Sequence, residues 1–189
     1  MRKLVVLAFV FAFVFTFVFV FKCGKPTTDV SFMDVASETF NSLITYSFVK
    51  VVNESDNSID FDDVKNIVGK DEHPIYIVKE FLRKHSKYKK DIEDEYYPPR
   101  EFFELRYGDC EDIAAFIVFS LLDAGIDPED LRIAMVDSNK SGLIDHVAAK
   151  YKNFIIENNG AVFVIYDSKY YSDNEIIYTL QIDEKGLVK

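Results

Sequence analysis

Leu4 to Phe21 form an uncharged run of 18 residues, apolar but for Thr16, behind Arg2 and Lys3. A helix rises about 1.5 Å per residue, so the run would span roughly 27 Å, the depth of a bilayer core. Phenylalanine at every odd position from Phe9 to Phe21 has the period of a strand. A lone strand has no partner for its backbone in lipid, so the run is expected to be helical. Small residues at the usual cleavage spacing are missing near its end, which favours an uncleaved anchor over a cleaved signal peptide. Cys23 adds a lipoprotein reading, against which Lys22 is a poor fit. All three readings put residues 26–189 outside the cytoplasm as one domain, with residues 1–25 as its hydrophobic signal or anchor segment.

Beyond residues 26–31, a short linker, the period changes. Phe32, Ala36, Phe40 and Leu43 recur on one face of a helix over Phe32–Val52. A short helix is expected over Asp62–Val68, closed by Gly69. Pro74 suits the first position of a helix to about Lys84, with Ile75, Val78 and Leu82 inward. The charged stretch Lys84–Glu95 reads as a solvated turn and helix end, and Pro98-Pro99 begins a short helix through Arg106. From Ile113 to Leu122 the chain is apolar nearly all round and Gly125 ends it, which is the pattern of a helix buried at the centre of a fold. Strands are expected at Leu131–Val136, His146–Tyr151, Phe154–Asn158, Ala161–Tyr166 and Ile176–Ile182. Helices followed by antiparallel strands make an α+β domain, with the cysteine-bearing helix packed on the sheet.

Charge sharpens this. Net charge is −10, but residues 1–25 hold four basic residues and no acid. The rest of the chain sets 18 basic residues against 32 acidic ones, a net −14. Such a body lacks the basic surface that nucleic-acid phosphates require. Two cysteines, Cys23 and Cys110, build no disulfide framework, and no cysteine–histidine cluster has zinc spacing. The residues themselves point to no cofactor.

The candidate chemistry centres on Tyr107-Gly108-Asp109-Cys110-Glu111-Asp112. A thiol in the first turn of a helix faces the positive end of the dipole, which favours the nucleophilic thiolate. Gly108 is expected to permit a sharp turn there, and Asp109 to cap the helix with Asp112 three residues on. Asp109, Glu111 and Asp112 oppose the dipole, because negative neighbours raise a thiol pKa. Of the three histidines, His73 borders a helix start and His85 a lysine-rich helix end. His146 begins an apolar strand, and is the expected general base. If Lys152-Asn153 form a hairpin turn, Tyr151 faces Phe154, and Glu157 and Asn159 share the face of His146. Glu157 or Asn159 would orient the ring, with Asp167 in reserve.

At these residues the chain resembles the transglutaminase-like superfamily of papain-like cysteine enzymes, most of all the bacterial transglutaminase-like cysteine proteinases. Gly108-Asp109-Cys110-Glu111-Asp112-Ile113-Ala114 matches their motif with isoleucine in the aromatic position. Pro99-Arg100-Glu101-Phe102-Phe103, Leu121-Leu122-Asp123-Ala124-Gly125 and His146-Val147 resemble the family's flanking segments. Its Leu-Asp-Asn segment falls on Ile156-Glu157-Asn158, with glutamate in place of aspartate. The resemblance spans roughly residues 72–167. It implies a Cys–His–acid triad of Cys110, His146 and Glu157 that cleaves or transfers amide bonds of peptides or proteins through a thioester. It also implies calcium held by acids beside the cysteine, such as Glu111 and Asp112. The competing expectation is a non-catalytic, membrane-tethered binding domain of the same fold.

Overall fold

The computed structural model describes residues 32–57, 74–90, 95–159, 162–170, 176–183, 185–186 and 188–189. The apolar run 4–21, Cys23, His73 and the helix expected over 62–68 lie outside them. No helix among the described residues is long and apolar enough to cross a membrane.

Among the described residues four helices precede the main sheet: α1 (Phe32–Glu54), α2 (Pro74–His85), α3 (Pro99–Leu105) and α4 (Cys110–Asp123). Two short strands, β1 (Lys87–Tyr88) and β2 (Tyr107–Gly108), pair in parallel between them. The stretch expected to be only a turn and a helix end thus holds a strand as well. Lys87 N–H donates to the Arg106 carbonyl at 2.9 Å and Lys89 N–H to the Gly108 carbonyl at 2.8 Å. Two residues have no hydropathy period to read, so only the backbone pairing reveals this strand.

Five strands follow: β3 (Leu131–Val136), β4 (His146–Tyr151), β5 (Phe154–Asn159), β6 (Val162–Asp167) and β7 (Ile176–Gln181). They form one sheet in the order β6-β5-β4-β3-β7, with every neighbouring pair antiparallel. The last strand returns beside β3, with a register shift between Met135 and Val136. This is the expected α+β architecture. Helix α4 lies against β3, β4 and β5. Ile113 to Leu121 are buried, and they join Leu131, Ile133, Met135, Ala149 and Ile156 in one core. Phe116, 1 % exposed, sits among Phe102, Phe81 and Phe103, with ring centroids 5.1, 6.0 and 6.3 Å away. The helix ends where Gly125 takes φ 86° and its N–H donates to the Leu122 carbonyl at 2.9 Å. That left-handed conformation is one glycine adopts without steric cost.

Helix α1 forms as expected, but not with the expected face inward. Phe40 and Leu43 are each 49 % exposed. The buried side carries Asn41 and Val52, with Ile44 and Phe48 packed against the core. Two amides fix this orientation. Asn41 Nδ2 donates to the Gly142 carbonyl at 2.8 Å, and its Oδ1 accepts the Ile144 N–H at 2.9 Å. Asn53 makes the same pair of bonds to Val188, at 3.1 and 2.8 Å. Burying Asn41 against two unpaired loop groups outweighs burying the more apolar side.

Candidate active site

The cysteine end of the site is built from neighbours in sequence. Asp109 caps α4, and Asp109 and Asp112 form a capping box. The Asp109 N–H donates to Asp112 Oδ2 at 3.0 Å. Asp112 Oδ1 accepts the Tyr97 N–H at 2.7 Å, so the completely buried carboxylate also holds the segment that enters α3. Gly108 serves by its size. A Cβ there would lie 2.5 Å from Asp112 Oδ2 and 2.8 Å from Phe102 Cδ2, while its φ is ordinary. The expected sharp turn is therefore corrected to a close approach: glycine leaves room for the capping carboxylate to swing under the backbone.

Cys110 is half-buried at the first position of α4. Its thiol donates to Glu111 Oε2 at 3.2 Å, and its sulfur accepts the Val147 N–H. Burial, followed by the Glu111 charge, pushes the thiol well above its ordinary range, and Asp109 adds to this; the Val147 N–H is too weak to reverse it. The helix dipole, about half a unit charge at the helix end, favours the thiolate, and burial and the neighbouring acids oppose it.

The histidine end is assembled from distant parts of the chain. The turn at Lys152–Asn153 sets Tyr151 opposite Phe154, as expected. His146 Nε2 then meets Glu157 Oε2 at 3.1 Å, with both side chains largely buried. A carboxylate accepts, so Nε2 is the donor of this pair. Pairing of β4 with β5 runs from Tyr151↔Phe154 to Ala149↔Ile156, whereas pairing of β4 with β3 continues to His146↔Val136. The Val147 N–H that meets the sulfur lies in this first part of β4. Alternation turns Val147 and Ala149 towards α4 and puts His146 and Ala148 on the other face.

Asp167 is not part of this group. It forms an ion pair with Lys169 at 2.9 Å and accepts the Lys169 N–H at 3.1 Å, and these bonds hold its carboxyl below the usual range. The side chain of Asn159 lies outside the described residues; its backbone pairs with Val162. His85 packs its ring on Phe81, 5.0 Å between centroids, at the end of α2.

Three residues support the histidine end without having stood out in the sequence. Asp137 accepts the N–H groups of Ser141 and Gly142 at 2.9 and 2.6 Å. Burial opposes its charge, but these bonds outweigh it and hold the carboxyl below its usual range. Asp145, next to His146, accepts the Ser138 N–H at 2.7 Å, the Ser138 hydroxyl at 3.0 Å and the Asn139 amide. Asn41 binds the same loop from α1. Asp137-Ser138 and Gly142 are turn-forming residue types, a usable local signal for the first two; Asn41 is more than 100 residues away in sequence.

Asp109, Cys110 and Glu111 each offer a ligand atom within 4.8 Å of the others. Calcium takes six to eight oxygen ligands, and this set offers two carboxylates and a sulfur. Asp112, one of the two acids expected to serve, already gives both oxygens to backbone N–H groups. Among the described residues this set alone supplies fewer oxygens than calcium takes.

No protein-family model and no curated protein matches the chain. Solved structures similar to it include LapG of Legionella pneumophila, its calcium-bound form and its EGTA-treated form, each 18% identical. Each alignment covers 76% of this chain, and 82%, 82% and 80% of the respective LapG chains, with TM-scores of 0.45, 0.46 and 0.45.

Proposed function

We propose that this protein is a transglutaminase-like cysteine enzyme that hydrolyses or transfers amide bonds in peptides or proteins. It acts outside the cytoplasm, tethered to a membrane by residues 4–21. The observation that carries the catalytic reading is the His146–Glu157 pair: Glu157 holds the ring through Nε2 at 3.1 Å, and the next residue, Val147, has its N–H acting on the Cys110 thiol.

In the reaction, His146 Nδ1 takes the thiol proton as the sulfur attacks the substrate carbonyl. The sulfur–carbon bond forms, and the oxyanion faces the N-terminus of α4, with the Cys110 N–H as a donor. Glu157 stabilises the imidazolium by charge and keeps the ring aimed. Collapse of the tetrahedral adduct breaks the carbon–nitrogen bond, and the imidazolium returns its proton to the leaving amine. Water, or an amine in a transfer, then attacks the thioester with His146 again as the base, and the free thiol is regenerated.

The bond from the resting thiol to Glu111 favours the rival reading, a non-catalytic binding domain with an inert cysteine. Catalysis requires the thiol proton to turn from Glu111 to His146 when substrate binds. Turnover of a casein-derived fluorogenic peptide mixture by the full chain separates the two readings. Cys110→Ala is expected to abolish it, His146→Ala to lower it by about 10³-fold, and Glu157→Gln to lower it less. Equal turnover in wild type and Cys110→Ala would overturn the enzymatic reading.

A further inference from the structure

The side of α1 turned away from the core carries Phe40, Leu43, Tyr46 and Val51, with 49, 49, 67 and 43 % of their surfaces exposed. On a helix turning about 100° per residue, Phe40, Tyr46, Ser47, Lys50 and Val51 all fall within about 80° of Leu43. Glu38 falls about 140° away. The one acid on the stripe is Glu54, at its far end and 4.0 Å from Lys50. An apolar stripe this free of acids is out of keeping with a body of net charge −14. Leu and Phe left in water forgo a stabilisation that contact with an apolar phase would supply.

The chain itself indicates the phase. The apolar run ends at Phe21, and ten residues separate it from Phe32. Fully extended, that connection reaches about 40 Å at most, so a bilayer holding residues 4–21 always lies within reach of α1. Lys22 and Lys25 are the charged residues in the connection before Asp29, and both signs suit a lipid surface better than an acidic protein. Tyrosine and phenylalanine beside a lysine are the residue types that settle at the headgroup boundary.

We infer that the Phe40–Leu43–Tyr46–Val51 face of α1 lies on the surface of the lipid bilayer in which residues 4–21 are inserted. The helix is then an interfacial element as well as a wall of the domain, with its opposite face, Asn41, holding the loop before His146. The inference rests on the membrane tether proposed above, and is independent of the catalytic reading.

The chain has no tryptophan, so a single introduced one reports alone. Full-length Leu43→Trp, and Phe40→Trp as a second reporter should the first misfold, would be reconstituted into phosphatidylcholine–phosphatidylglycerol vesicles. Asn153→Trp, on the exposed β4–β5 turn, is the control. Replacing the phosphatidylcholine by its 6,7-dibromo form is expected to quench the α1 reporters at least twofold and leave Asn153→Trp within 10 % of its unquenched intensity. Protein that floats with the vesicles yet leaves both α1 reporters unquenched overturns the inference while sparing the tether. A blue shift that grows with protein concentration, without lipid quenching, assigns the face to a second copy and also overturns it. Failure to float removes the tether, and the inference with it.

Discussion

Helices α1 and α4 are both rich in apolar residues, and they meet opposite fates. Beyond its first turn α4 is buried on nearly every side, from Asp112 to Leu121. Helix α1 leaves Phe40, Leu43 and Tyr46 outside and buries an asparagine instead. The period of 3.6 establishes that each is a helix; it does not choose a face when apolar residues occur all round. In α4 no choice is needed. In α1 the choice falls to Asn41 and Asn53, whose amides bond backbone groups of the loop and of the C-terminus.

The largest effect that tests this contrast lies in α4. Phe116→Ala removes a ring packed among Phe81, Phe102 and Phe103 and leaves a cavity between α4 and the helices α2 and α3. The expected cost is about 3–5 kcal/mol, read from the urea unfolding midpoint. A loss under 1 kcal/mol would mean that α4 is not the centre of the core.

The same contrast explains what the sequence made legible. The cysteine end of the site is encoded within four residues, Asp109 to Asp112, and its cap is readable without a structure. The β4–β5 hairpin is also local, and alternation from its turn puts Glu157 and Asn159 on the face of His146, where the structure pairs the ring with Glu157. The thiol's protonation was less legible. The dipole and the acids act in opposite directions, and their balance depends on how deeply the sulfur is buried, which no spacing reports. Gly108 reads as a turn residue in the sequence, because its crowding by Phe102 and Asp112 exists only after folding. The loop clamp of Asn41 joins residues more than 100 apart, beyond any local pattern.

A middle-sized effect belongs to that clamp. Asn41→Ala leaves the Ile144 N–H and the Gly142 carbonyl without their amide partner, in a loop fixed on its other side by Asp137 and Asp145. An unsatisfied buried group costs about 1–3 kcal/mol. The loss should appear in the unfolding midpoint, and in faster hydrogen exchange at Ile144 than in β3. If Ile144 exchange is unchanged, Asn41 does not anchor the loop, and the orientation of α1 has another cause.

The smallest effect is the most discriminating for α1. Leu43→Ser removes a large apolar side chain from the middle of a 23-residue helix. By the sequence period alone it should behave like a core mutation. In the structure Leu43 is half exposed and outside the core, so the change should move stability by no more than about 0.5 kcal/mol in either direction. Measured beside Phe116→Ala in the same urea titration, the two values should differ severalfold. A loss for Leu43→Ser approaching that of Phe116→Ala would place Phe40 and Leu43 against the protein core. It would also reverse the face assigned to Asn41, since side chains at positions 41 and 43 lie about 200° apart on one helix.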